Sequence, residues 1–303
     1  MEHAGERAVR LRAGAAVEAR EVSAAVPAVA ARFLAEQRLV VIGAADGDGA
    51  VWAGPLTGPP GFVAADGERT IVVGRLPGAG DPLAGRFGAE RDIGLLVIDP
   101  ATRRRMRANG RARRTADRLV IDTDQVYANC LKYLQTRYPQ GAPPAPTARA
   151  ARRTGSLSAA QQRWIAAADT FFIASAAPGL GADASHRGGN PGFVTVADAR
   201  HLSWPDYAGN AMFSTLGNLE LDGRCGLLFL DWEHGHTLHL TGRARVDWDP
   251  ARAATTPGAQ RFVDFGVEHV VEVTAGLGLR WSFGGYSRFN PPPRDSPAND
   301  VAG

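Results

Sequence analysis

Residues 184–218 read ASHRGGNPGFVTVADARHLSWPDYAGNAMFSTLGN. The stretch predicts a strand, a turn, a strand pair, a loop and a helix. His186 and Arg187 stand just before the turn Gly188-Gly189-Asn190-Pro191-Gly192. Strands are expected over 193–197 and 201–204, and Pro205-Asp206-Tyr207-Ala208-Gly209-Asn210 then leads into a short apolar helix. A cation, a Gly-Asn loop and a helix start this close together suggest an anion site. Backbone N–H groups at a helix start favour negative charge, and glycines let a phosphate approach the backbone. The competing reading is a hairpin followed by a surface helix.

The same plan occurs earlier in the chain. Pro60-Gly61-Phe62-Val63 matches Pro191-Gly192-Phe193-Val194 at an offset of 131 (191 − 60). Gly94-Leu95-Leu96-Val97-Ile98-Asp99 matches Gly226-Leu227-Leu228-Phe229-Leu230-Asp231 at 132 (226 − 94). Gly110-Arg111-Ala112-Arg113 matches Gly242-Arg243-Ala244-Arg245, again at 132 (242 − 110). Three matches on one diagonal imply a tandem duplication. A helix precedes each first strand: Val26, Val29, Ala30, Phe33 and Leu34 recur at helical spacing, and Ser158 with Gln161 makes a capping box. Strands in the first copy are expected at 39–44, 51–54, 61–63, 70–73, 93–98, 105–113 and 118–122, with a helical piece near 83–87. Such short runs do not suit parallel crossovers. The expected fold is mainly β with short helices, an α+β chain built on antiparallel barrels or sandwiches. The expected organisation is a flexible arm over 1–20, a first copy over 21–138, a linker over 139–155, a second copy over 156–289 and a disordered tail over 290–303.

A chain of 303 residues can bury two cores, and its net charge is only +3. Arginines gather in the runs 103–114 and 149–153, which read as solvated faces without the aromatic partners of a nucleic-acid surface. No apolar run approaches membrane-spanning length. The start MEHAGERAVRLR has no apolar core followed by a cleavage site, and Cys130 and Cys225 form no disulfide framework or CxxC spacing. The expectation is a cytoplasmic protein with no nucleic-acid or membrane partner. His234 and His236 flank a hairpin turn, and His236 and His239 fall on opposite faces of a strand, so no metal site is expected.

Several segments carry a family likeness: Phe172-Ile173-Ala174-Ser175, SHRGGNPGFV from Ser185, LSWPDYAGNAMFSTLGNL from Leu202, GLLFLD from Gly226 and LHLTGRARV from Leu238. In this order and spacing the second copy resembles the pyridoxamine 5′-phosphate oxidase family of FMN-binding split β-barrels. It looks most like a bacterial tandem-barrel subgroup, which also carries an Asn-Cys-Pro-Lys-Tyr segment after its first barrel. This chain has Asn129-Cys130-Leu131-Lys132-Tyr133, with Leu131 in place of proline. The resemblance implies two tandem FMN-binding split β-barrels and a flavin-dependent oxidoreductase acting on a small organic substrate, with NAD(P)H or oxygen as a partner. It implies a pseudo-dimer within one chain and leaves homodimerisation open. The alternative is a non-catalytic protein that holds a flavin, haem or a deazaflavin. A true pyridoxamine phosphate oxidase is not expected, because LRWSFGGYSRFN near the end lacks the family's arginine-rich pattern.

FMN needs an anchor for its phosphate, a slot for its ring and donors to the ring's polar edge. Arg187 is the first candidate, since a guanidinium matches phosphate with two bonds. Asn210 is the helix-end donor, and Ser214 follows one turn later. Ser185, His186, Gly188, Gly189 and Gly209 complete the expected cofactor loops, and Trp204, Pro205 and Asp206 fall where the family sets a loop beside the ring. Residues 129–133 alone read as a helix start, with Tyr127, Leu131 and Leu134 facing a core and Cys130 buried. The resemblance instead sets Lys132 at the ligand. Catalytic candidates are Lys132, His186 and Asp206, with His186 as axial ligand in the haem alternative. Arg280 and Arg288 are secondary candidates for substrate contact. In the first copy, Leu56 stands for Arg187 and Gly80-Asp81 for Gly209-Asn210. An aspartate there repels phosphate. The first copy is therefore expected to wall a site whose grip comes from the second.

Overall fold

The computed structural model describes residues 2–15, 22–140 and 150–292. After α1 (Ala4–Arg12), the first copy runs α2 (Ala28–Glu36), β1 (Leu39–Ala45), β2 (Val51–Thr57), β3 (Val63–Ala65), β4 (Thr70–Val73), β5 (Arg91–Asp99), β6 (Arg104–Thr115) and β7 (Arg118–Ala128). Two short strands follow, β8 (Thr136–Gln140) and β9 (Ala151–Thr154). The second copy runs α3 (Ala159–Ala167), β10 (Thr170–Ala177), β11 (Gly181–Gly188), β12 (Thr195–Val196), β13 (His201–Tyr207), α4 (Ser214–Leu221), β14 (Arg224–Leu230), β15 (Thr237–Asp247), α5 (Pro250–Ala254), β16 (Ala259–Val273) and β17 (Arg280–Gly285).

The strand orders are β2-β1-β5-β6-β7-β4-β3 and β11-β10-β14-β15-β16-β13-β12. Numbered from its own first strand, each sheet has the same order. Register repeats as well: Leu39 pairs with Thr57 as Thr170 pairs with Gly188, both displaced by 131 (170 − 39 and 188 − 57). The chain is thus two tandem antiparallel split β-barrels with short helices.

The near-continuous apolar runs of the central strands have a cause that alternation alone does not supply. On β5, Ile93, Leu95 and Val97 fill the first barrel, whereas Leu96 and Ile98 face a third core shared by the two copies. On β14, Leu227 and Phe229 fill the second barrel and Leu228 and Leu230 join the shared core. Strands buried on both faces lose the polar alternation of a half-solvated sheet. The copies meet backbone to backbone where both have glycine. A Cβ on Gly94 would lie 2.3 Å from the Asp183 carbonyl carbon, and one on Gly226 would lie 2.5 Å from the Val51 oxygen. Any side chain there would push the barrels apart.

Several expectations need correction. The N-terminal arm holds a helix: His3 and Glu6 form a capping box, Val9 is buried, and α1 packs on α4. Residues 16–21 lie outside the described residues. The expected linker contributes strand at both ends, β8 pairing with β17 and β9 with β16, while residues 141–149 lie outside the description. Of the expected tail, Asn290 is tied to Gln135 at 3.0 Å and to Asn190 at 3.1 Å, and residues 293–303 are outside the description. Residues 83–87 are turns, and 129–133 form no helix. The expected strand over 193–197 is only β12. Pro205 and Asp206 belong to β13, beyond the point where β12 has ended; there the missing proline N–H costs no ladder bond.

Candidate functional site

A cavity of about 330 Å³ opens between the barrels. The first copy contributes Arg105 and Arg107 from β6 and the segment 129–133. The second contributes the end of β11, the end of β13, the loop that follows, and the start of β16.

Arg107 is its most tightly held member. Nη1 donates to both Asp183 carboxylate oxygens, at 3.0 and 3.1 Å, and Nη2 donates to Ser185 Oγ. Thr215 Oγ1 donates to the same carboxylate at 2.8 Å. The Arg107 bonds cross from one copy to the other and fix the cavity floor. Arg105 fixes its rim. Nε donates to the Cys130 carbonyl at 2.8 Å, Nη2 to the Lys132 carbonyl at 3.1 Å, and Nη1 approaches His186 Nδ1 at 2.6 Å. Those carbonyl bonds hold 129–133 in an irregular path, with Tyr133 at φ 65°, in place of the expected helix. Burial and the neighbouring Arg107 push the Arg105 guanidinium down to about 9, still charged at neutral pH.

Two further guanidiniums converge on Asp206. Arg187 Nε lies 4.0 Å and Arg261 Nε 3.4 Å from its carboxylate, without hydrogen-bond geometry. Arg187 Nη1 donates to Ser185 Oγ at 3.0 Å, and Arg261 Nη2 to Gln260 Oε1 at 2.8 Å. Arg187 Nε, Arg261 Nε and Nη1, and Asn210 Nδ2 remain buried donors without a hydrogen bond. Burial raises the Asp206 carboxyl above its ordinary value despite both arginines.

Of the expected residues, Lys132, His186, Arg187, Gly188, Pro205, Asp206, Gly209 and Asn210 line the cavity. Four do not. Trp204 is fully buried in the second barrel, edge-on to Phe171 with centroids 5.0 Å apart, because it shares a strand face with Leu202. Ser185 lies behind the wall as an acceptor for Arg107 and Arg187. Gly189 packs under Phe193, whose ring leaves no room for a Cβ. Ser214 is the first residue of α4 and sits 3.3 Å from the Tyr127 hydroxyl. The helix therefore starts four residues after Asn210, so Asn210 offers its side chain from a loop rather than backbone from a helix end. Arg280 borders a different cavity. His239 is buried between the Ala53 carbonyl and Thr237, and among the described residues no cluster of three metal-binding side chains occurs.

Arg105, Arg107 and Arg261 were not legible as site residues. The run 103–114 reads as a solvated face, and its outer half is one. Arg105, Arg107, Arg111 and Arg113 share one strand face by alternation, but β11 of the second copy covers only the first two. The usable signal lies in the repeat, where Arg111 and Arg113 recur as Arg243 and Arg245 but Arg105 and Arg107 become Thr237 and His239.

That substitution pattern defines a second, pseudo-equivalent cavity of about 510 Å³. It has Leu56 where the first has Arg187, and Thr237 and His239 where the first has Arg105 and Arg107. The second cleft has arginines of its own, Arg38, Arg75 and Arg280, but none at the positions of Arg105, Arg107 and Arg187.

The fold class is that of paired split β-barrels, on the chain's own strand order and register. No family model and no curated protein matches the chain. Among solved structures it is similar to a Lactobacillus delbrueckii protein described as a candidate pyridoxamine 5′-phosphate oxidase, at 21% identity and TM-score 0.31 over 39% of this chain and 94% of the other. It is also similar to a FAD-binding protein from Mesorhizobium loti, at 15% identity and TM-score 0.30 over 41% of this chain and 98% of the other. A FAD-binding protein from Mycobacterium smegmatis matches at 15% identity and TM-score 0.27 over 41% and 98%. No helix among the described residues is long and apolar enough to cross a membrane.

Proposed function

We propose that this chain binds FMN between its two barrels and acts as a flavin-dependent oxidoreductase on a small organic substrate. The observation that carries the reading is the cluster of buried donors on Arg187, Arg261 and Asn210 that make no hydrogen bond. Leaving a buried donor unmade costs about 1–3 kcal/mol. A phosphate supplies several acceptor oxygens and the negative charge that four arginines favour. Leu56 at the position of Arg187 argues against the same grip in the second cleft. In this reading Arg187, Arg261 and Asn210 hold the phosphate, and Asp206 keeps the two guanidiniums apart and oriented. Lys132 brings a cation from the first copy to the far wall. The bound flavin supplies the hydride chemistry, and the protein supplies position and charge.

The test is an absorbance spectrum of the purified protein, with mass identification of whatever it releases on denaturation. A yellow protein releasing FMN is the expected result. A colourless protein that leaves added FMN fluorescence unchanged overturns the proposal. One observation favours a second reading, a flavin holder without turnover: Asp206 and His186, two of the three acid–base candidates, are engaged by arginines. Reduction of bound flavin by NAD(P)H followed by reoxidation in air separates the two.

A further inference from the structure

We infer that His186 is a specificity-determining residue, offering a fixed Nε2–H donor to an acceptor atom of the ligand between the barrels. This rests on the ligand-binding reading of that cavity, and it goes beyond it by assigning the protonation of the ring and the chemistry it selects.

The argument begins with Arg105. Its Nη1 stands 2.6 Å from His186 Nδ1. A guanidinium has five N–H donors and no acceptor, so Nδ1 must present its lone pair. The proton of a neutral imidazole then sits on Nε2. A doubly protonated ring would set N–H against N–H. The ring is also buried, and the charges that act on it are those of Arg105, Arg187, Arg137 and Arg107, all cationic. Burial and these arginines hold His186 well below its ordinary pKa.

Nε2 is buried and has no partner, although His186 lines the cavity. Two contacts hold the ring in place: Arg105 Nη1 stands on Nδ1 at 2.6 Å, and Phe172 packs edge-on to it at 5.8 Å. An orphaned donor on a fixed ring is the arrangement that a ligand acceptor completes. The matching atom is a carbonyl or phosphate oxygen or an sp² ring nitrogen, and a ligand carrying an amino or N–H group at that place is disfavoured. In the pseudo-equivalent cleft, Pro55 stands where His186 does, opposite Val41 as His186 is opposite Phe172, and offers no donor. The same tautomer denies His186 two other roles. Its Nδ1 is occupied and its Nε2 is protonated, so it is neither a general base nor an axial ligand for haem iron.

The test is 15N NMR of full-length protein labelled in its histidine rings, with His186→Gln to assign the signals. The expected pattern is a protonated Nε2 and a bare Nδ1, unchanged between about pH 5.5 and 8, where a free histidine titrates. Adding FMN should move the Nε2–H proton downfield. By fluorescence titration, His186→Leu should weaken FMN binding about tenfold, as for one lost hydrogen bond in a buried site. His186→Gln can face Arg105 with its oxygen and the ligand with its N–H, so it should stay within about threefold of wild type and serves as the folded control. A ring that titrates in this range, a proton on Nδ1, or FMN binding that leaves the Nε2–H signal in place overturns the inference while the flavin reading stands. A wild-type protein that ignores FMN overturns the flavin reading. If inorganic phosphate then also leaves the Nε2–H signal unmoved, the donor role falls with it.

Discussion

Arg107 on β6 of the first copy and Asp183 on β11 of the second form a buried ion pair across the seam between the barrels, with N–H···O distances of 3.0 and 3.1 Å. Thr215 and Asn109 also donate to that carboxylate, at 2.8 and 3.4 Å. The pair joins the two copies beneath the cavity, and it has no counterpart at the pseudo-equivalent seam, where Arg107 is replaced by His239.

Breaking a buried pair from one side strands a charge, at a cost of about 3–5 kcal/mol. Arg107→Met should therefore destabilise strongly in urea denaturation, with Asp183 left unpaired. Arg107→Met combined with Asp183→Leu should recover much of the loss. Additive losses in the double variant would show that the two side chains act independently.

Helix α1 docks through glycine. A Cβ on Gly217 of α4 would lie 2.6 Å from the Glu6 nitrogen, and one on Gly5 would lie 2.1 Å from the Gly217 oxygen. Gly217→Ala suits α4 itself, since alanine is the better helix former, but it should lift α1 off. The expected outcome is faster tryptic cleavage at Arg10 and Arg12 with a small change in global stability. Unchanged cleavage would mean that α1 stays docked by other contacts.

Stability should fall as the solution is acidified through pH 6.5. His186 and His239 are both buried, and burial lowers both below the ordinary value of 6.5. Between the folded and unfolded values the unfolded chain binds more protons, so stability rises with pH across that window and is lost as pH falls below 6.5. Each group contributes at most about 1.4 kcal/mol per pH unit. Asp206 acts in the opposite sense, because its pKa is raised and the folded chain holds the extra proton. Its window begins at the ordinary carboxylate value and ends at the raised one, and across it stability falls as pH rises. Urea midpoints at about pH 7.5, 6.5 and 5.5 should show the acid loss, and His186→Gln with His239→Gln should flatten it. An unaltered slope in the double variant would place the loss on other groups.

The duplication was legible because motifs such as Gly226–Asp231 and Gly94–Asp99 sit on strands that do the same job in both copies. That Arg187, Asp206 and Asn210 line one cavity was legible because they lie in the motif that carries the resemblance. Arg261 was not, since its role depends on β16 pairing Arg261 with Asp206 across the sheet, a tertiary fact with no local signature. Trp204 was misread for a related reason. Its motif is intact, but the strand runs through Tyr207 and its alternation turns the indole into the barrel. Helix α1 was missed because Ala4–Arg12 is short and carries few large apolar side chains, and its partner surface on α4 is distant in sequence.

The two clefts provide an internal control for the anion site. Arg187→Ala removes a buried cation whose Nε makes no hydrogen bond, and Leu56→Ala trims the residue at the equivalent register. If the phosphate of FMN rests on the second copy alone, Arg187→Ala should raise the FMN dissociation constant at least tenfold, a loss of about 1.4 kcal/mol or more for a charge-assisted bond. Leu56→Ala should leave it unchanged within error. The stability effects should run differently, because Leu56 is only 3% exposed in the first core and truncating such a leucine costs about 2–5 kcal/mol. Inorganic phosphate should raise the thermal midpoint of the wild type and of Leu56→Ala, and should fail to raise that of Arg187→Ala, since stabilisation by a ligand requires that it binds the folded state. Fluorescence titration and thermal scans on the same three proteins therefore separate grip from packing. Equal weakening of FMN by both substitutions would place phosphate contacts in both clefts and remove the asymmetry on which the cofactor assignment depends.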